Sequence, residues 1–492
     1  MNSTKGILVP AALFAFILLC TLNSAGYRYG ASDLAFYLPA VLVRIDPALF
    51  PRDGSLIAAQ ARLTMMDETV GLLARVTGAS VPSLFAVLYC ATLSLLAFAI
   101  WLIAARWYRS KWTGAALLAA LTLRHAIARS GTNTLEGYFH PRQLAFAIGA
   151  LAIAAVLRGR LRLAAGLVLA AGFLHPTTAM WFAIWLSVAT AVNEQRLRMP
   201  LLAAGAAGAL LAVWLVTGGP LAGRLVIMDA DWLATLVTKD YLFPLEWPAY
   251  VWLFNLASMP LIVLLYRRRR AAGLLIPGET GLVIGCLSLL LVFAAALPLN
   301  AARVALAVQL QTPRIFWMLD FLATIYVVWA LAEGAGGSAR RAQVAALLLL
   351  LASAARGGYI RFVGFPDRPV VQFDIPDNDW GRVMAWARTT PADSEWAADP
   401  GHAAQYGTSL RVAGQRDVFV EAVKDAAIGM YARDVAIRTR DRLAVLEHFG
   451  AMTPERGRQL GAQYGLDYLV TEQPLALPLA YASGAIRVYR LR

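Results

Sequence analysis

The stretch Tyr27-Arg28-Tyr29-Gly30-Ala31-Ser32-Asp33-Leu34-Ala35-Phe36-Tyr37-Leu38-Pro39 sets one carboxylate, Asp33, among aromatic and hydroxyl side chains. A carboxylate so placed can take a proton from a hydroxyl nucleophile or orient it, while Tyr29 and Tyr37 would give a sugar an amphipathic wall. Asp is also a preferred helix N-cap, so Asp33 reads equally well as the cap of a helix that starts just after it. A second constellation is Arg124-His125, Arg129 and Glu136-Gly137-Tyr138-Phe139-His140-Pro141-Arg142. Guanidinium groups such as Arg124 and Arg142 bind phosphate bidentately, with Tyr138 and His140 as cavity lining. The plainer reading is long side chains at helix ends reaching toward a polar headgroup layer.

Further candidates are His175-Pro176-Thr177-Thr178, the pair Asp229 and Asp231, and Arg303, Arg314 and Asp320. Asp320 falls about two turns into an apolar run, where a charge must face the bundle interior and find a partner, either Arg314 or a residue of another span. His125, His140, His175 and Glu136 raise a metal site, but their spacing matches no metal motif, so no metal ligands are assigned and the cofactor stays open. No phosphate-cradling glycine loop and no nucleophile elbow is present. Cys20, Cys90 and Cys286 all lie in apolar runs, which excludes a disulfide framework.

The elements that must position these groups are membrane elements. The chain has 492 residues, is 59% hydrophobic and 15% charged, and has a mean hydropathy of +0.59, too apolar for soluble domains of this length. Apolar runs occur at 6–25, 82–105, 113–127, 142–157, 161–174, 177–193, 200–217, 249–266, 280–298, 314–332 and 342–356, an expectation of about eleven transmembrane helices. The first run lacks a small-residue cleavage motif and is expected to be a retained helix.

Alternate loops carry Lys5, Arg106, Arg109, Lys111, Arg158, Arg160, Arg162, Arg196, Arg198, Arg267 to Arg270, Arg340 and Arg341. Those 15 bases face three acids, Glu194, Glu279 and Glu333, so these loops account for +12 of the net charge of +14. Basic loops stay cytoplasmic. The expected topology is a multi-pass protein of the bacterial cytoplasmic (inner) membrane, with a cytoplasmic N-terminus. The basic charge thus reflects topology, and no nucleic-acid partner is expected. The opposite side receives loops 26–81, 124–141, 218–248 and 299–313 and the tail. Within the first loop, 33–45 and 57–77 have the period of interfacial helices.

The sequence divides into a transmembrane domain, 1–356, and a soluble extracytoplasmic domain, 357–492. The second has no span-length apolar run, and its acids nearly balance its bases. Asn378 to Arg388 and Arg433 to Phe449 read as helices, while Glu395 to Ala398, Asp417 to Val420, Tyr468 to Thr471 and Ile486 to Arg490 read as strands. The alternation implies a small α/β domain.

With Tyr29-Gly30-x-x-Asp33-x-x-x-Tyr37 after the first span, the chain resembles the GT-C superfamily of membrane glycosyltransferases. The resemblance covers the membrane region in outline. It implies a polyprenyl-phosphate-linked sugar donor and an essential acid in the first outer loop, here Asp33. The acidic pair of several GT-C families is missing, since Leu34 follows Asp33. Glu136 to Arg142, His175 to Thr178 and Pro313-Arg314-Ile315-Phe316-Trp317 are similar to those of a bacterial polytopic membrane family with no assigned activity. The resemblance implies transfer of a sugar from a lipid-phosphate carrier to an acceptor at the outer face, with membrane lipids and the lipid-linked sugar phosphate as partners. A transporter or lipid flippase, or a non-catalytic assembly protein, are the alternatives.

Overall fold

The computed structural model describes the backbone of residues 3–492 and the side chains from Val9 onward; Lys5 lies outside the described side chains. The protein is mostly helical, with a small sheet toward its C-terminus. Every apolar run of the sequence carries a helix. Among the described residues, six helices are long and apolar enough to cross a membrane: Val81–Trp107, Gln195–Thr217, Ala249–Ala271, Glu279–Ala301, Ala305–Ala332 and Ala339–Gly364.

One expected span departs from the simple pattern. The run 113–127 forms only Lys111–Leu121, 11 residues or about 16 Å at 1.5 Å per residue, half the apolar thickness of a bilayer. It is followed by a hairpin pairing Ala126–Ile127 with Thr132–Asn133. The expected runs 161–174 and 177–193 are the separate helices Leu161–Leu174 and Pro176–Asn193. Proline has no N–H for a preceding carbonyl and prefers the first helical position, so the chain breaks and restarts there.

The chain falls into two compact units. Unit one comprises residues 1–27, 88–227 and 240–370. Its helices approach closely where glycines allow it. A Cβ on Gly281 would lie 2.3 Å from Ala189 O, and one on Gly285 would lie 2.3 Å from Trp185 O. The four-residue spacing of those glycines packs Glu279–Ala301 directly on the backbone of Pro176–Asn193. Two of the three acids counted with the basic loops are buried. Glu279 receives Arg269 Nε at 2.7 Å and the Tyr326 hydroxyl at 2.9 Å. Glu333 accepts from Ser110 N at 2.7 Å and from the Thr113 hydroxyl at 2.9 Å, completing the helix start at Lys111. These carboxylates hold helices together, so they offset little of the loops' exposed basic charge.

Unit two comprises residues 28–87, 228–239 and 371–492. This partition differs from a break at 356/357: the stretch 28–87 and a short piece near 230 fold with the tail. The five strands lie in the order Asp417–Val418, Glu395–Ala397, Tyr468–Thr471, Ile486–Arg490, Leu479–Ser483. The first three run parallel and the last two join antiparallel. Successive strand residues point to opposite faces. Trp396, Val418, Val470 and Val488 enter one core with Trp380, Val383 and Met384 of the helix Asp379–Ala387. Their neighbours Ala397, Phe419, Leu469 and Tyr489 enter another with Leu446, Phe449 and Leu460. Burial on both faces is what parallel strands require.

The four expected strands and both helices of the tail are present, with Asn378 capping Asp379–Ala387 by accepting from Gly381 N at 2.8 Å. The strand Leu479–Ser483 and the helices Ala422–Gly429 and Pro454–Tyr464 are additional. In the first outer loop, the expected helix 33–45 is Leu34–Ile45, and the stretch 57–77 divides into Gly54–Ala61 and Met66–Thr77. Leu42, Phe50, Leu56 and Ile57 are covered by Ile428 and Val435 of the tail, so these faces bury against protein of their own unit.

Candidate functional site

In unit two, Asp33 stands at the N-cap position of Leu34–Ile45, yet its carboxylate makes no capping hydrogen bond. Lys424 Nζ donates to Asp33 Oδ1 at 2.6 Å instead. Lys239, almost buried, donates to Val423 O at 2.9 Å close by. Burial first, and then the charge of Lys424, lowers the pKa of Lys239, opposed by Asp33. The carboxylate is therefore the ion-pair partner of Lys424 rather than a structural cap.

Beside this pair lies a cavity of about 270 Å³. Arg28, Ser32 and Ala35 from the first outer loop line it, together with Thr408, Glu421 and Lys424 from the tail. Tyr29 and Tyr37 do not: Tyr29 is buried edge-on to Phe85 at 6.0 Å, and Tyr37 packs on Phe36 at 4.8 Å. Both rings turn inward because the loop folds onto protein.

A network of buried charges frames this region, and the sequence reading missed it. Arg411, 1% exposed, donates from Nε to Asp53 Oδ2 at 2.6 Å and from its two Nη atoms to Asp425 at 2.5 and 3.0 Å. Arg438 also donates to Asp53. Asp417 accepts the backbone N–H groups of Arg52 and Asp53 at 3.0 and 2.9 Å. The available signal was a lone arginine inside the apolar stretch Leu410-Arg411-Val412-Ala413, since charged residues are rarely buried unless paired.

Burial opposes the charge on Asp53, but Arg411 and Arg438 outweigh it and hold the carboxyl below its usual range. Asp417 goes the other way: burial, then the charge of Asp53, raises it to about 6. The folded state therefore binds more protons between the ordinary carboxyl value of 3.8 and about 6. Asp417's contribution to stability is fully present below the former and is lost as pH rises through the latter. Thermal melting of the wild type and Asp417→Asn at about pH 5 and about pH 7.5 tests this. The wild type's advantage over the variant is expected to shrink with rising pH, by on the order of 1–1.5 kcal/mol. A gap independent of pH would contradict it.

Unit one gathers the second constellation. Arg142, 3% exposed, donates from Nη2 to Glu136 Oε1 at 3.1 Å and from Nη1 to Gly131 O at 3.3 Å. Arg124 lies 3.8 Å from Glu136 and donates from Nε to Leu135 O at 2.8 Å. Arg129 pairs with Asp240 at 3.2 Å. The arginines that run against the loop bias thus have protein partners, and Arg142 does not reach outward as a helix-end anchor. His140 and His175 share a local role ahead of proline. His140 Nδ1 accepts from Arg142 N at 3.0 Å, and His175 Nδ1 accepts from Thr178 N at 3.3 Å, each starting a helix.

The His140 ring lies 6.0 Å from Tyr138 and 6.5 Å from His175. Arg142 and Arg314 are both close enough to His175 to act on it electrostatically. Arg124, Glu136, Tyr138, His140, Arg142, His175 and Arg314 therefore belong to one polar cluster. No protein-family model and no curated protein matches the chain. This cluster must be read from its chemistry: it sets guanidinium groups beside a carboxylate and two imidazoles.

The remaining candidates lie elsewhere. Asp320 takes His125 Nε2 at 3.0 Å, and both side chains are partly exposed. Its partner is thus not Arg314 but His125, which lies in the expected run 113–127 just beyond the helix Lys111–Leu121. Arg303 pairs with Glu246 and stacks over Phe243 at 4.2 Å. In unit two, Asp229 caps Ala230–Leu236 by accepting from Trp232 N at 2.9 Å and pairs with Arg433, while Asp231 pairs with Arg440. Among the described residues, no three His, Cys, Asp or Glu side chains come together as a metal-ligand set.

Proposed function

We propose that this helical membrane protein is a GT-C-like glycosyltransferase of the bacterial cytoplasmic membrane. It moves a sugar from a polyprenyl-phosphate-type carrier to an acceptor at the outer face. The observation that carries the reading is that Asp33 is paired with Lys424 beside a polar cavity and is not spent on capping its helix. Asp33 orients the acceptor hydroxyl. Within unit one, the guanidinium groups of Arg124, Arg142 and Arg314 are the proposed ligands of the carrier's phosphate. Tyr138, His140 and His175 line the donor side.

A non-catalytic lipid-binding role is the second reading, favoured by the engagement of Arg142 and Arg124 with Glu136. The test is transfer of labelled sugar from polyprenyl-phosphate donors by the full chain in vesicles. Transfer that disappears in Asp33→Asn supports the transferase; donor binding without transfer supports the second reading.

The topology is part of the proposal: eleven spans, a cytoplasmic N-terminus and an extracytoplasmic tail. Reporter fusions after Arg198 and after Arg361 are expected on opposite sides, the first cytoplasmic. The same side for both would exclude it.

A further inference from the structure

The cavity beside Asp33 has properties that a transfer reaction does not require. Two of its lining residues carry buried polar atoms without a hydrogen-bonding partner, Thr408 Oγ1 and Glu421 Oε2. Thr408 is 2% exposed and Glu421 is 1% exposed. Such atoms are costly, typically about 1–3 kcal/mol each, unless something satisfies them. Glu421 is otherwise well held: the Ser409 hydroxyl donates to Oε1, and Arg411 lies 3.8 Å from Oε2. His402 Nδ1 donates to Asp399 O at 2.7 Å, and its Nε2 accepts from Leu410 N at 3.2 Å. The same Nε2 lies 3.5 Å from Glu421 Oε1, on the side of the carboxylate away from Oε2.

The lining defines the ligand. A carboxylate oxygen lacking a donor demands an O–H or N–H and repels an anion. Lys424 and Arg28 on the same walls repel a cation. A hydroxyl such as that of Thr408 both donates and accepts. A neutral molecule rich in hydroxyl groups answers all three. The volume of about 270 Å³ is room for about nine waters at 30 Å³ each. It lies at the small end of ligand pockets, which suits one ring rather than a chain. Ala35, Ala404 and Val423 offer small apolar faces to the C–H side of such a ring.

We propose that unit two binds a single neutral sugar ring in this cavity, with Thr408 and Glu421 hydrogen-bonding its hydroxyl groups. Binding needs no turnover, so the site stands or falls independently of the transferase reading. The experiment titrates neutral hexoses, N-acetylhexosamines, inorganic phosphate and a dispersed neutral glycolipid against the full chain in nanodiscs, by calorimetry and thermal shift. At least one neutral sugar is expected to bind saturably and raise the melting temperature. The glycolipid arm distinguishes a lipid-borne ring from a free one.

Thr408→Val keeps the shape and removes the hydroxyl. It is expected to weaken binding about 10-fold or more while leaving the unliganded melting temperature unchanged or higher, because it deletes an unpaired buried group. Glu421→Gln keeps an acceptor but loses the charge, and is expected to weaken binding to a similar degree. Absence of saturable binding by every neutral sugar, a preference for phosphate, or full affinity in a folded Thr408→Val protein would overturn the proposal.

Discussion

Arg411→Met is expected to destabilise unit two by about 3–5 kcal/mol, the usual consequence of removing one partner from a buried ionic cluster. The guanidinium is fully enclosed and serves Asp53 and Asp425 at once, with Glu421 3.8 Å away. Methionine fills much of the volume but leaves three buried carboxylates short of a cation. Arg438 pairs with Asp53 and donates to Arg52 O, so it does not supply the lost charge at Asp425. Lysine is expected to rescue little, since an ammonium group cannot reproduce a planar fork that serves two carboxylates. The check is equilibrium unfolding of the full chain in detergent, followed by the fluorescence of the buried Trp380 and Trp396. The exposed pair Arg458–Glu455 is the control, and Arg458→Ala should change little. A loss below about 1 kcal/mol for Arg411→Met would mean that the cluster rearranges to satisfy itself.

Asp33→Asn is expected to lower sugar transfer by about 10²-fold or more, the scale for losing a positioned acid–base group. The substitution is nearly isosteric, and Asn remains a good N-cap. It also removes the counter-charge of Lys424, so a purely structural role would give lost stability with activity in proportion to folded protein. The double variant Asp33→Asn with Lys424→Met separates the cases. If the pair only holds the loop to the tail, replacing both charges restores stability and activity together. If Asp33 acts on an acceptor, stability returns and transfer does not. Asp33→Glu, which keeps the charge, should retain partial activity. A fully active Asp33→Asn protein would remove the catalytic role.

Helix and strand positions were legible because they are written locally. An apolar run with little charge must bury its backbone polarity in a helix when it meets lipid. The alternation around Trp396, Val418, Val470 and Val488 marks strands covered on both faces. The His-Pro steps at 140–141 and 175–176 mark helix starts, and only the structure shows both histidines capping them. Arg142 and Glu136, six residues apart, were both noticed, but their mutual pairing was not. Sequence spacing alone does not say whether a guanidinium turns outward to a headgroup or back to a carboxylate.

Only the tertiary structure decided that the first outer loop belongs with the tail. Asp33 meets Lys424 across 391 residues, and Asp53 meets Arg411 across 358. Loop 26–81 displays the same amphipathic period whether its apolar faces cover lipid or protein. Choosing between the two depends on whether Ile428 and Val435 offer a complementary surface, which no window of the sequence contains. Once those faces bury together, every charge near the seam must be paired, because an isolated ion in a low-dielectric interior costs more than folding can supply. The local period of the chain therefore determined its elements. The nonlocal demand to satisfy buried charge decided which residues form the site.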